Sequence, residues 1–524
     1  MRKELEKKLK APPMEKPEIK KGEEAEKAKE EETFINKKID LIGCESFSAD
    51  DFKEIVEKYE NREVSLKELD VLAKEIEKEY FKRGVMAACF LPPQEIKEGV
   101  VILQVVEAKM GDLEIQKHGY FKEDMINDYW KIKPGEVLRY DKMLDSLYLM
   151  NKNPDREVKA TLHAGKTPQT TDVVLNVDTR LPIHFTSSFD KEGGVLTGRK
   201  RKGLGIKHNN FLGFDDTLLV GHMFGDDFSG TYAYHRVPIN SFGTSLLYGY
   251  NYSKAFPKKE YEPFGIDTRV KNTSFFIYQD MFKNGDYLGE VYLGLDAQDK
   301  TTKTKAEGTL NRDRLRILRL GSNFVHRGSR TVTTLNPEFS QGINGFGARR
   351  RDRLSSRGAK NTFSKFNLGA QCKRALPLNL EANLKLNSQF SSTELAPQEE
   401  FFLGGINSVR GYPSGDYLAD SAVQANLELL FPAFFIPKDL RLPYSGPLKE
   451  EVTGLIFFDY GYGEKRGAGE PEKKTANLKS VGAGIRIRLL DWVLLRLEWG
   501  FPLGDQTITE KASSRFHISF DLEM

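Results

Sequence analysis

The chain has 524 residues, and 79 Lys plus Arg against 76 Asp plus Glu leave a net charge of +3, which gives no global attraction to nucleic acid. Its mean hydropathy is −0.50, and no run of about 18 apolar residues is present to cross a membrane as a helix. Three cysteines (Cys44, Cys89 and Cys372) without CxxC spacing indicate neither a zinc site nor a disulfide framework, so no metal and no cofactor is expected.

Residues 1–32 carry 20 charged side chains, ten of each sign, with Pro12, Pro13 and Pro17 and almost no large apolar groups. Such a segment cannot bury enough surface to offset its ordering entropy and reads as a mobile tail or linker. Residues 33–108 read β-α-α-β-β. A strand covers Phe34 to Ile42, and Ser48 caps a helix whose stripe is Phe52, Ile55, Val56 and Tyr59. Ser65-Leu-Lys-Glu68 is a capping box for a second helix with Leu69, Leu72, Ala73, Ile76 and Tyr80 inward, and Gly84 suits the position just past its end. Strands around Met86–Phe90 and Val100–Glu107 complete the unit. The order repeats more weakly over 109–181, so the two stretches form a tandem α+β module.

From 182 to 524 about sixteen strand-like runs alternate with turns, and several switch residue type at every step. Leu380, Ala382, Leu384 and Leu386 oppose Glu381, Asn383, Lys385 and Asn387; Phe516, Ile518 and Phe520 oppose His517, Ser519 and Asp521. Side chains of a strand alternate faces, so each run has one apolar and one polar wall. Recurrence over sixteen runs fits an antiparallel transmembrane barrel with lipid outside and water inside, closed so that no edge meets lipid. Tyr248, Tyr250, Tyr252, Trp492 and Trp499 suit interfacial girdles; core aromatics of a soluble β protein are the plainer alternative. An outer-membrane protein carries a secretory signal, and the opening Met1-Arg-Lys-Glu-Leu-Glu lacks an apolar core, which suggests a trimmed sequence.

One long loop, 391–421, holds Val409-Arg410-Gly411-Tyr412, and two strands later comes Phe457-Phe-Asp459-Tyr-Gly461. An arginine tucked into a lumen is costly unless a carboxylate meets it, and Asp459 falls on the inward face. A guanidinium binds a carboxylate through two hydrogen bonds, which would pin the loop tip inside the pore. Gly411 and Gly461 would permit close backbone approach. A solvated turn arginine is the bland reading.

With these motifs the chain resembles the outer-membrane assembly and secretion barrels. Its N-terminal modules are similar to polypeptide-transport-associated (POTRA) domains, on Tyr80-Phe-Lys-Arg-Gly84, Pro93, Gln94 and Gly99 in the first and on Asn151-Lys-Asn-Pro154 with Gly165 in the second. The first resembles the haemolysin-activator (ShlB/FhaC-like) type of two-partner secretion transporters. That resemblance implies two POTRA domains in the periplasm and a 16-stranded barrel in the outer membrane of a Gram-negative-type bacterium. It implies a monomeric, non-enzymatic translocase that exports an unfolded partner, a large β-helical exoprotein of haemolysin or adhesin kind, with outer-membrane lipid around it. The runner-up is a barrel-assembly insertase of the same superfamily. A departure is the terminal Met524, where the family usually ends on an aromatic residue. A hydrolase is poorly supported, for the sequence has no HExxH, GxSxG or P-loop.

Overall fold

The computed structural model describes residues 33–524 except 285, 349–353, 357–359, 435, 438, 442–445, 470–471, 491 and 506–512. The tail expected at 1–32 lies outside the described residues. The chain divides into a unit ending at Leu181 and one running from Pro182 to Met524.

In the first unit the opening strand is broken in two, β1 (Thr33–Asn36) and β2 (Lys38–Ile42). The break is made by Gly99, whose carbonyl accepts the N–H groups of both Lys37 and Lys38. β1 then pairs with a short strand, β3 (Arg62–Ser65), that the sequence reading lacked. Between them the first helix is a single α turn, α1 (Lys53–Val56), flanked by 3₁₀ turns. The second helix, α2 (Leu66–Lys82), opens on the Ser65–Glu68 capping box and buries Leu69, Leu72, Ala73, Ile76 and Tyr80. It packs on a sheet in which β5 (Val100–Glu107) lies between β2, parallel, and β4 (Ala87–Phe90), antiparallel. The second module repeats that arrangement. β8 (Thr170–Thr179) lies between β6 (Lys109–Gln116), parallel, and β7 (Arg156–Ala164), antiparallel. Helices α3 (Glu123–Tyr129) and α4 (Tyr140–Met150) cover the sheet through Ile126, Met143 and Leu147.

The second unit is a closed antiparallel barrel of sixteen strands. The first eight are β9 (Ile183–Asp190), β10 (Arg201–His208), β11 (Thr217–Gly225), β12 (Phe228–Pro238), β13 (Thr244–Ala255), β14 (Asp267–Asn284), β15 (Tyr287–Thr304) and β16 (Gly308–Arg327). β17 (Thr331–Gly342), β18 (Ser364–Ala375) and β19 (Glu381–Ser391) lead to the long loop, which carries the short pair β20 (Phe401–Leu403) and β21 (Tyr417–Ala419). β22 (Ser421–Pro432), β23 (Val452–Glu464), β24 (Thr475–Leu489), β25 (Val493–Pro502) and β26 (Arg515–Glu523) complete the wall, and β26 closes on β9. The alternation sorts as a lipid-bounded barrel demands: Leu427 is 51% exposed and Glu428 beside it 6%; Trp499 is 50% exposed and Glu498 0%. Tyr248 and Tyr250 also face outward. The tallest part of the wall is β14–β16, with 18, 18 and 20 residues; the strand-like periodicity in the sequence covers only Thr273–Lys283 of β14, Tyr287–Ala297 of β15 and Arg314–His326 of β16. The polar extensions beyond those points have no apolar face, so periodicity could not reveal them.

Candidate functional site in the barrel lumen

The loop between β19 and β22 folds back into the barrel. Its backbone reverses at Gly404, Gly405 and Gly411, all with φ near +100°, conformations that glycine adopts without steric penalty. A Cβ on Gly411 would lie 3.1 Å from the carbonyl carbon of Gly500, and one on Gly500 2.5 Å from the amide of Gly411, so the loop tip sits directly on β25. On the opposite side of the tip, a Cβ on Gly461 would meet Val409 Cγ2 at 2.8 Å.

Arg410 is 1% exposed. Its Nε and Nη2 donate to the two oxygens of Asp459 at 2.7 and 2.6 Å, and its backbone N–H donates to Oδ2 at 3.0 Å. Nη1 reaches Glu428 at 2.7 Å and Glu498 at 2.9 Å, and the guanidinium carbon lies 3.5 Å from the centre of the Phe457 ring. The two glutamates are shared: Arg486 Nη2 binds Glu428 at 2.6 Å and Arg496 Nε binds Glu498 at 3.1 Å. Three arginines thus face three carboxylates, a net charge of zero, as burial in a low-dielectric site requires. Neutral groups add to the grip. Asn426 Nδ2 donates to the carbonyl of Ser408 and to Asp459, and the Tyr412 hydroxyl donates to the carbonyl of Lys479 while accepting the N–H of Gly504.

Two further anchors were not among the residues singled out from the sequence. His517 on β26 accepts the Gly411 N–H at Nε2, and its Nδ1 lies 2.7 Å from Glu192, which also accepts the Ile406 N–H. At the loop's other end Glu399 binds Arg319 on β16 at 2.8 Å and Lys365 on β18 at 2.7 Å. The loop is therefore fastened from the eighth barrel strand to the sixteenth, across half the circumference. Inward parity could have singled out Glu428 and His517; Glu192 and Glu399 lie in loops, where parity says nothing.

The motif residues of the first module serve its own packing. Tyr80 stacks on Phe52 with ring centres 4.8 Å apart. Gln94 donates to the Ile102 carbonyl at 2.7 Å and accepts its N–H at 2.9 Å, stapling the exposed Pro93 turn to β5. Gly84, with φ +82°, ends α2, and a Cβ there would lie 2.9 Å from Asp141 Cγ, because its carbonyl accepts the Tyr140 N–H of the second module. A bidentate bond from Arg139 holds the Asp141 carboxyl below the usual range, and burial pushes the Cys89 thiol up to about 12. Among the described residues no cluster of His, Cys, Asp or Glu could hold a metal.

A sixteen-stranded barrel of alternating parity, its lumen bolted by an inserted loop and its sequence opened by two β/α modules, defines an outer-membrane protein transporter with POTRA domains. The chain belongs to the haemolysin secretion/activation protein family ShlB/FhaC/HecB, whose model matches residues 169–487, and a ShlB-type POTRA domain matches residues 34–108. It is 22% identical over 487 residues to the heme/hemopexin transporter protein HuxB of Haemophilus influenzae, covering 90% of this chain and 83% of that protein. With the outer membrane transporter CdiB of Dickeya dadantii it shares 23% over 368 residues, 68% of this chain and 64% of the other. The structure of CdiB from Escherichia coli superimposes with a TM-score of 0.77 at 18% identity, covering 97% of this chain and 93% of that one. The protein is an outer-membrane transporter of two-partner secretion that handles a secreted partner protein, with POTRA domains on the periplasmic side.

Proposed function

We propose that this transporter passes one large, unfolded, β-helix-forming exoprotein through its own barrel as a monomer, with no catalytic step in the chain. The observation that carries this reading is the docked loop tip: Arg410 is buried inside the barrel against Asp459, Glu428 and Glu498. The loop is the closed state of the pathway: its Val409, Arg410, Gly411 and Tyr412 seat against Phe457, Asp459 and Gly461 on β23 and against the neighbouring strands β24 and β25. Polar walls lined by Arg486, Arg488, Arg496 and Glu498 keep an extended chain solvated. Capture falls to the POTRA modules, where among the described residues β7 is a free sheet edge of nine residues. An extended cargo segment adds there through main-chain hydrogen bonds, which bind without strict sequence demands. Deleting the gene tests the reading: secretion of the exoprotein encoded beside it stops, while other outer-membrane barrels stay at normal abundance. General loss of those barrels would instead identify an insertase.

A further inference from the structure

The outer wall of β13–β16 is organised in rows fixed by register. Tyr248, Phe275, Leu295 and Leu318 form one apolar row against lipid. Four residues further toward the extracellular end, roughly 13 Å at strand rise, the same face reads Tyr252, Lys271, Asp299, Arg314. The row above it reads Lys254, Arg269, Thr301, Arg312. Along this face an apolar row therefore gives way to positive charge.

Most of that charge is uncompensated. Arg269 is paired with Asp267 at 2.6 Å, and Arg316, just below, with Asp299 at 3.0 Å. Lys254, Lys271, Arg312 and Arg314 remain, and among the described residues no carboxylate lies within 4.0 Å of any of them. Lys254, two residues along the same strand, and Lys271, across the pair on β14, lie 5.4 and 6.0 Å from the centre of the Tyr252 ring, which holds both ammonium groups over one aromatic face. Neighbouring strands are about 4.8 Å apart, which places all four cations within roughly 15 Å of one another.

We propose that this collar binds the phosphates of an anionic lipid headgroup in the outer leaflet. Two features favour lipid over a protein partner: the cations share a face with the lipid-contacting rows, and they begin where those rows end. Basic residues at a membrane surface attract anionic headgroups at about 1 kcal/mol each, so neutralising three of them weakens binding by up to about a hundredfold.

The test uses the full-length protein in nonionic detergent, bisphosphorylated lipid A as probe and its dephosphorylated form as comparison, read by native mass spectrometry. The unaltered protein should retain the phosphorylated lipid at least about tenfold better than the dephosphorylated one. The variant Lys271→Gln/Arg312→Gln/Arg314→Gln should lose that preference, and Lys271→Arg/Arg312→Lys/Arg314→Lys should keep it. Equal retention of the two lipids by the unaltered protein overturns the proposal, whatever the variants do. So does an undiminished preference in the glutamine variant that migrates as a folded barrel in an unheated gel. Tighter capture of polyglutamate than of lipid A would also overturn it and assign the collar to an acidic polypeptide. Secretion plays no part in these readouts, so failure here leaves the export reading standing.

Discussion

Arg410→Ala removes one guanidinium from a cluster in which its three acidic partners are not equally dependent on it. Glu428 keeps Arg486, and Glu498 keeps Arg486 and Arg496. Asp459, fully buried, loses its cation and retains only neutral donors such as Asn426 and the residue-410 amide. Leaving a buried charge without its partner costs about 3–5 kcal/mol. The loop can relieve that cost by lifting off and letting water in, so the loss should appear as easier local opening rather than barrel unfolding. Hydrogen–deuterium exchange of the full-length protein reads it at the Ile406, Arg410 and Gly411 amides, which are bonded to Glu192, Asp459 and His517. They should exchange roughly 10² to 10³ times faster, while amides of β14–β16 keep their native protection. Asp459→Asn discharges the same site from the other side, and the double variant should cost at least about 1.5 kcal/mol less than the sum of the two. Unchanged exchange at 406–411, or strictly additive costs, would refute the assignment of loop docking to this pair.

Gly461→Val puts methyl groups into the space held by Val409 Cγ2 and Leu403; it should loosen the same three amides and reduce secretion with no change of charge. Gln94→Ala leaves the N–H and C=O of Ile102 without their partner, a loss of about 1–3 kcal/mol, which faster exchange over 100–107 would register. The Glu68 carboxylate is lowered below its ordinary range, first by the Ser65 N–H and then by Arg62. The stability it contributes is therefore complete above the ordinary glutamate range and is lost as pH falls through its folded value; α2 protection should drop in mild acid, and Glu68→Gln should flatten that dependence. Burial holds the Cys89 thiol near 12, so it stays neutral at pH 8 and should resist iodoacetamide until the protein is unfolded.

The barrel was legible because its physics repeats. Each strand sits between lipid and water, so runs such as 380–387 and 515–523 declare both their conformation and their faces. The same logic placed Asp459 inward. Elements governed by single contacts were not legible: β3 has four residues, two of them charged, and exists because β1 is cut loose at Gly99. The extensions of β15 and β16 carry charge on both faces, and that of β14 sets Asp267, Arg269 and Lys271 against mostly polar neighbours, which looks like a loop to any periodicity argument. Glu192 and Glu399 are conspicuous only after folding, when the loop has crossed the barrel and found them. Gly84 read as a helix stop is also a point of contact between the two modules.

Fastening the inserted loop at Glu399 on one side and at Arg410 on the other makes it a tie-rod. The girth of the cylinder is set by its sixteen hydrogen-bonded strands, which close on themselves without help from the loop. The rod therefore crosses a hoop that is already rigid. Drawing it out would change the clearance inside the wall and leave the diameter as it was.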